Sequence, residues 1–396
     1  MKITSVDIID VANDFSSATS KWRPVVVKIN TDEGISGFGE IGLAYGVGAS
    51  AGFGMAKDLS KIIIGMDPLK NEAIWDKMQK KTFWGQGGGT VFTAAMSGID
   101  IALWDIKGKA LNVPIYQLLG GKTRDKIRTY ASQIQFGWGD GADKAMLVEP
   151  AHYAEAARIA VAEGYDAIKV DPLAMDSRGN WNQQNLLGVL PDKVLRLGYN
   201  RLKAIREAVG ADVDIIVELH AFTDTTSSIQ FGKMIEDLGI YYLEEPVMPL
   251  NPKQMKKVAD HVNIPIAAGE RIYTRWGYRP FFEDGSIDVI QPDMCTCGGF
   301  TEVKKICDMA HVYDVTVQIH VCGGPISTAA ALHMEAAIPN FIIHELHRYA
   351  LLKPNTQTCV HNYMPKNGMY EVPELLGLGQ ELTLETIKAS TVETVK

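Results

Sequence analysis

From about residue 126 onward the chain alternates short apolar runs with amphipathic ones, and this alternation constrains its fold more than any other feature. Eight runs read as buried strands: 127–132, 167–171, 214–220, 240–244, 264–270, 287–292, 315–320 and 341–345. Helical patterns separate them, for example over 153–163, 201–209, 229–238 and 301–312. Eight such units in roughly 225 residues are what a (β/α)8 barrel of the TIM type needs. A doubly wound sheet is the competing α/β arrangement. Polar residues at nearly every strand end favour the barrel, whose active site draws on many strands at one face. The stretch 172–199, with Asp176, Arg178, Asn180 and Asn182, reads as a polar insertion after the second strand.

The flanking segments follow other patterns. Residues 24–30 and 35–40 form two strand-like runs around Thr31-Asp32-Glu33-Gly34, an antiparallel hairpin with a glycine turn. Helical patterns follow at 54–64, 70–82 and 90–111. The last carries Ala94, Ala95, Ile99, Ala102, Leu103 and Ile106 at spacings of three and four, so it buries one face. Residues 1–125 are therefore expected to form an α+β capping domain and 126–350 the barrel. The tail, 351–396, is expected to return to the capping domain.

Composition narrows the function. The 396 residues are 46% hydrophobic and carry a net charge of −8, with no run of like charge. Nucleic acid and membrane are excluded as expected partners. No apolar stretch is long enough to span a bilayer, and the first residues lead into a strand-like run rather than a signal-peptide core. Five cysteines suit a reducing cytoplasm. Cys295 and Cys297 form a C-x-C without a second thiol pair, which reads as packing.

The strand ends carry the chemistry. Glu218, Glu244 and Glu270 recur at intervals of 26 residues, each at the end of an apolar run. Three carboxylates converging on one barrel mouth repel one another unless a cation sits among them, and oxygen ligands suit a hard divalent ion such as Mg²⁺. Neighbouring strand ends add Lys169 and Asp171, His220, Arg271, Asp293, His320 and Glu345. Taken singly, a strand-end Glu can pair with an arginine such as Arg271, and Lys169 can be a surface lysine with its stem buried. Structural charges would scatter over both faces; these line up at one. Alternation puts Glu218 and His220 on one side, and Lys169 with Asp171. Spacing leaves open which of Glu244 and Glu245 points inward.

The stretch from Ser97 to Asp105, Leu119-Gly120-Gly121-Lys122, Leu243-Glu244-Glu245-Pro246, Ala268-Gly269-Glu270-Arg271 and Gln291-Pro292-Asp293 resembles the enolase superfamily, mandelate racemase subgroup, over essentially the whole chain. Within it, Ala-Gly-Glu-Arg, Glu218-x-His220 and His320 are most similar to sugar-acid dehydratases of the D-galactonate type. The resemblance implies Glu218, Glu244 and Glu270 as Mg²⁺ ligands, Asp293 and His320 as a dyad, and Glu345 near the substrate carboxylate. It implies a small sugar acid, aldonate or aldarate, as partner and a homo-oligomeric assembly. Two departures stand out. The first ligand is Glu218 where most relatives have Asp, and Asp171 stands where relatives often have Asn, Lys or Tyr.

Removing a proton next to a carboxylate builds a dianion, which a divalent cation stabilises; a Lys or His base with Mg²⁺ is the enolase-superfamily pattern. His320 is the expected base, with Asp293 fixing its tautomer. His220 is the expected acid for a departing β-hydroxyl, giving a 2-keto-3-deoxy acid. Glu345 is expected to be protonated and to donate to the developing enediolate. Lys169 would be the second base of a racemase or epimerase. A cycloisomerase, and a non-catalytic relative that binds metal and ligand, also compete with the dehydratase. Asp171, Arg271, Trp22 and Tyr45 are expected to touch the substrate. Residues 14–23 and the Gly-rich 42–54 segment are expected to form a lid, with Trp84 and Trp138 as further wall candidates.

Overall fold

The computed structural model of the protein describes residues 1–12, 22–139, 142, 146–182 and 186–396. Three antiparallel strands open the chain: β1 (Ile3–Asp10), β2 (Val25–Thr31) and β3 (Ser36–Ile41). Eight parallel strands follow: β4 (Lys126–Ala131), β5 (Ala167–Val170), β6 (Asp214–Glu218), β7 (Ile240–Glu244), β8 (Ile266–Ala268), β9 (Val289–Ile290), β10 (Thr316–Val317) and β11 (His344–Leu346). Two more close the chain, β12 (Met369–Glu371), antiparallel to β4, and β13 (Thr391–Val395), antiparallel to β1.

The parallel strands lie in the order β10-β9-β8-β7-β6-β5-β4-β11. The sheet curls until its ends meet: the N–H of Val317 donates to the Asn340 carbonyl at 2.9 Å, and that of Ile342 to the Val317 carbonyl at 3.0 Å. Inside the ring Tyr130, Ala167, Ile216, Tyr242, Ala267, Val289 and Ile343 fill the axis, as a barrel of this size requires. Several strands end earlier than the apolar runs suggest. The run expected over 214–220 stops at Glu218, and His220 and Ala221 turn to φ of 50° and 55°. The helix expected to begin at residue 201 begins at Asp192, so the end of the expected polar insertion is helical, with Leu195, Leu202 and Ile205 facing the core.

The first sheet, ordered β13-β1-β2-β3, packs on the helix Thr90–Ala110. That contact depends on glycine. A Cβ on Gly39 would lie 1.9 Å from the Gly98 carbonyl oxygen, so only Gly lets β3 approach this closely. The same layer then caps barrel helices from outside their own sequence. Asp100 accepts from the backbone N–H of Thr301 at 3.0 Å and from its hydroxyl at 2.5 Å, at the start of the helix Gly299–Val312. Glu40 accepts from Gly324 at 2.6 Å and Ser327 at 3.1 Å, at the start of the helix Pro325–Ala337. Helix N-termini carry unpaired N–H groups and partial positive charge, so a carboxylate there is stabilising.

Burial opposes that charge and pushes both carboxyls up to about 7. Replacing Asp100 by Ala strands the capped groups and should cost about 1–3 kcal/mol of unfolding free energy, read by urea titration. Glu40 titrates near 7 when folded, above its ordinary 4.5. The folded chain therefore holds a proton that the unfolded chain has released across that window, and stability from this group falls as pH rises through it. Glu40→Gln should lose less stability than the parent between those pH values.

Candidate active site

The triad is assembled by strand register. Glu218 and Glu244 are direct partners at the ends of β6 and β7. They become so only because the register slips by one residue: Ile215 faces Ile240 but Ile216 faces Tyr242. A one-residue shift moves a strand's side chains to its other face, and here it turns Glu244 inward. Glu245 follows with φ of 45° and pairs with Arg271 instead. Beyond β8, a Cβ on Gly269 would lie 2.4 Å from the Gln291 nitrogen; this glycine lets the chain pass close to β9 and present Glu270. One carboxylate oxygen from each of Glu218, Glu244 and Glu270 lies within 4.8 Å of the others.

Lys169 sits among these acids. Its Nζ is 3.1 Å from Glu218, 2.7 Å from Glu244 and 2.8 Å from Glu345. Burial disfavours its charge, but the three carboxylates outweigh burial and hold the ammonium well above its ordinary pKa. In this structure Lys169 is a cation paired with three carboxylates. Burial would protonate Glu345, but Lys169, His320 and His347 prevail and lower its pKa. Its oxygens accept from Lys169, the Ser132 hydroxyl at 2.9 Å and the Val321 N–H at 3.1 Å. In this arrangement its oxygens serve as acceptors.

Two Asp–His pairs flank the triad. His320 Nδ1 lies 2.8 Å from Asp293, and its Nε2 lies 3.2 Å from Glu270. His220 Nδ1 lies 2.9 Å from Asp171, and its Nε2 lies 3.3 Å from Glu218. Burial opposes charging either ring. For His320 it is outweighed by Glu270, the hydrogen bond to Asp293 and Glu345, which push the pKa up to about 10. For His220, Glu218 and Asp171 push it up to about 9.

These groups open into a cavity of about 630 Å³. Tyr45 and Arg271 line it as expected residues, although Arg271 is tied to Glu245 and Glu270. Asp171 and Trp22 are corrected. Asp171 is buried, with one oxygen on His220 and the other accepting from Leu173 N–H at 3.0 Å, so it orients a histidine rather than touching substrate. Trp22 is buried behind the wall, stacked on Tyr349 at 4.6 Å, with its indole N–H on Asn355. Of the expected lid, 14–21 lie outside the described residues, Gly42, Leu43 and Tyr45 line the cavity, and Gly52 and Gly54 belong to the helix Ala49–Ile63. Trp138 is core, its N–H on Glu163, and Trp84 lies on the surface away from this cavity. Cys295 and Cys297 are buried, which raises both thiols.

Sequence reasoning missed Gln133, Phe136, Trp181, His347, Arg348 and Tyr349, all of which line the cavity. His347 is neutral, its pKa pushed down to about 3 chiefly by burial. Arg348 stacks over Phe136 at 4.1 Å, and Phe136 over Trp181 at 6.0 Å. His347, Arg348 and Tyr349 directly follow β11, and that position was the available signal for them.

The donor set fits a hard divalent cation. It offers only carboxylate oxygens, and Glu244 Oε2 is buried without a hydrogen-bond partner. The class is thus a parallel barrel with an acidic metal site and histidine dyads at its strand ends. Comparison gives the family. Residues 152–386 match the profile of the enolase C-terminal domain-like family, and 9–120 that of the mandelate racemase / muconate lactonizing enzyme N-terminal domain. The chain belongs to the enolase superfamily, whose members bind a metal. It is 32% identical to a D-xylonate dehydratase of Haloferax volcanii, over 99% of this chain and 90% of that protein. It is 34% identical to a D-galactonate dehydratase of Ralstonia pickettii, over 82% of this chain and 78% of that one. A solved member of the enolase superfamily from Salmonella Typhimurium is 79% identical, covers 100% of both chains and superposes with a TM-score of 0.97.

A divalent cation at a hundred times its Kd should stabilise the metal-free protein by about 2.7 kcal/mol. Calorimetric unfolding with and without the ion checks this, and Glu244→Gln should remove most of the gain.

Proposed function

We propose that the protein is a Mg²⁺-dependent dehydratase of sugar acids, aldonates of the D-galactonate kind or aldarates. It would take the proton α to the carboxylate and expel the β-hydroxyl, leaving a 2-keto-3-deoxy acid. The observation that carries this reading is the pair of dyads, each with Nδ1 on an aspartate and Nε2 beside a triad carboxylate. A β-elimination needs one group that takes a proton and one that gives it. The dehydratase names of the two relatives support the same reaction.

Glu218, Glu244 and Glu270 would hold the Mg²⁺. When bound, the ion supplies charge to stabilise the enediolate dianion. His320 Nε2 takes the α-proton while Asp293 keeps Nδ1 protonated and the ring aligned. His220, set by Asp171, gives a proton to the departing hydroxyl, and the enol product ketonises. Glu218 is one methylene longer than the usual aspartate and still reaches the cluster. Lys169 Nζ is shared among three carboxylates, whereas each histidine has its own aspartate, which supports elimination over racemisation. Five free cysteines, four of them buried, support a cytoplasmic location. Among the described residues no helix is long and apolar enough to cross a membrane.

A panel of aldonic and aldaric acids, assayed for 2-keto product with semicarbazide, tests the reaction. His320→Asn should abolish both turnover and α-proton exchange with solvent deuterium. His220→Asn should keep exchange and lower elimination by about 10²–10⁴-fold. Exchange without product in the parent protein would instead mark an epimerase or racemase.

A further inference from the structure

Gln133 stands out from the other cavity residues by its backbone. It follows β4 at φ 67° and ψ 44°, the left-handed region, where a residue with a side chain is uncommon and glycine would be unstrained. Its neighbours fix it there. Ser132 is tied through its hydroxyl to Glu345, and the Gln135 side chain accepts the N–H of Asp171 at 3.2 Å. The Gln133 carbonyl itself accepts from Phe136 N–H at 3.1 Å. The loop is thus anchored on both sides to groups that hold the site together, and the strained residue between the anchors projects into the cavity. Its amide oxygen Oε1 is buried and has no hydrogen-bond partner. Strain retained under such constraint clusters where side chains meet ligands, and an unpartnered buried acceptor is unfavourable until a donor reaches it.

We propose that Gln133 is a substrate-recognition residue, its Oε1 accepting a hydrogen bond from a substrate hydroxyl on a carbon beyond the two that react. A carboxylate cannot serve, because it only accepts. The expelled hydroxyl is served by His220, and the carboxylate with the α-hydroxyl beside it belongs at the triad, which leaves a hydroxyl further along the chain. The inference rests on the sugar-acid reading and sharpens it: the substrate is a polyhydroxy acid of at least four carbons, read partly at its distal hydroxyls.

The test uses the full-length protein with Mg²⁺, and reads both turnover and the calorimetric affinity of D-galactonate, D-xylonate and their 4- and 5-deoxy analogues. Gln133→Met keeps length and volume but removes the acceptor. It should raise KM or Kd about tenfold while kcat and α-proton exchange change by less than about twofold. Gln133→Gly should lose affinity equally, with an unchanged or higher thermal midpoint because the left-handed backbone is relieved. One deoxy analogue should bind the parent about tenfold less tightly and the Met variant no worse than the parent acid. Parent-like affinity in Gln133→Met, or deoxy penalties equal in both proteins, would overturn the proposal and leave the oxygen to ordered water. Acids that bind through Gln133 but are not dehydrated would sink only the dehydratase reading. Acids that neither bind nor react would sink both.

Discussion

Everything at the barrel mouth depends on one buried ammonium. Two like charges 4 Å apart repel by about 4 kcal/mol even at an effective dielectric constant near 20. A domain's whole stability is about 5–15 kcal/mol. Glu218, Glu244 and Glu345 converge away from water, and such a cluster needs a cation in reach of all three. Lys169 is that cation, at 3.1, 2.7 and 2.8 Å from them. Its stem rises from β5 and its Nζ lies 5.5 Å from the Tyr130 ring centre, so the balancing charge belongs to the rigid barrel rather than to a loop. That rigidity keeps the triad's geometry from collapsing apart by repulsion.

The capping layer is bound to this centre by the same physics. Glu40, from β3, caps the helix Pro325–Ala337, which begins five residues after His320. Between them Val321 gives its N–H to Glu345. The loop carrying His320 is therefore held at one end by a site carboxylate and at the other by a capping-domain carboxylate. Movement of the first sheet against the barrel would strain the dyad directly. The stretch Gly42 to Tyr45, continuing from β3 over the cavity, shares the same anchor.

What could be read in the chain follows from how local the cause is. Eight strands and the 26-residue interval are visible because apolar runs and strand-end acids are properties of neighbours in sequence. The inward choice of Glu244 is not, since it depends on how β7 pairs with β6, where Tyr241 is skipped between the partners of Ile215 and Ile216. The partnership of Asp171 with His220 joins residues 49 apart through loop geometry, so composition gave only a carboxylate near the mouth. Glu345 is expected protonated from its role as a donor to the enediolate; the lysine that lowers its pKa lies on another strand. Trp22 lies close to the cavity in space, yet it faces the back of Tyr349, a distinction that only packing decides. Gln133 gave no signal because backbone strain is invisible in residue types.

Charge balance joins the metal site to the histidines. The two cations in contact with the triad are already committed, Lys169 to three carboxylates and Arg271 to Glu245 and Glu270. Against them stand Glu218, Glu244, Glu270 and Glu345, with Asp171 and Asp293 behind the rings. The upward shift of both histidines, to about 9 and about 10, reports that excess of negative charge. An anionic substrate would add to it, and neither Lys169 nor Arg271 could turn to meet it without abandoning a buried acid. A divalent cation at the triad removes the conflict at both ends. It would supply the positive charge that a substrate carboxylate needs, and it would offset the carboxylates that raise the His320 pKa. The basicity of the ring then falls toward the range in which a neutral imidazole can accept a proton. On the proposed mechanism, cation binding and the competence of His320 as the base would be one equilibrium, coupled by the acidic triad.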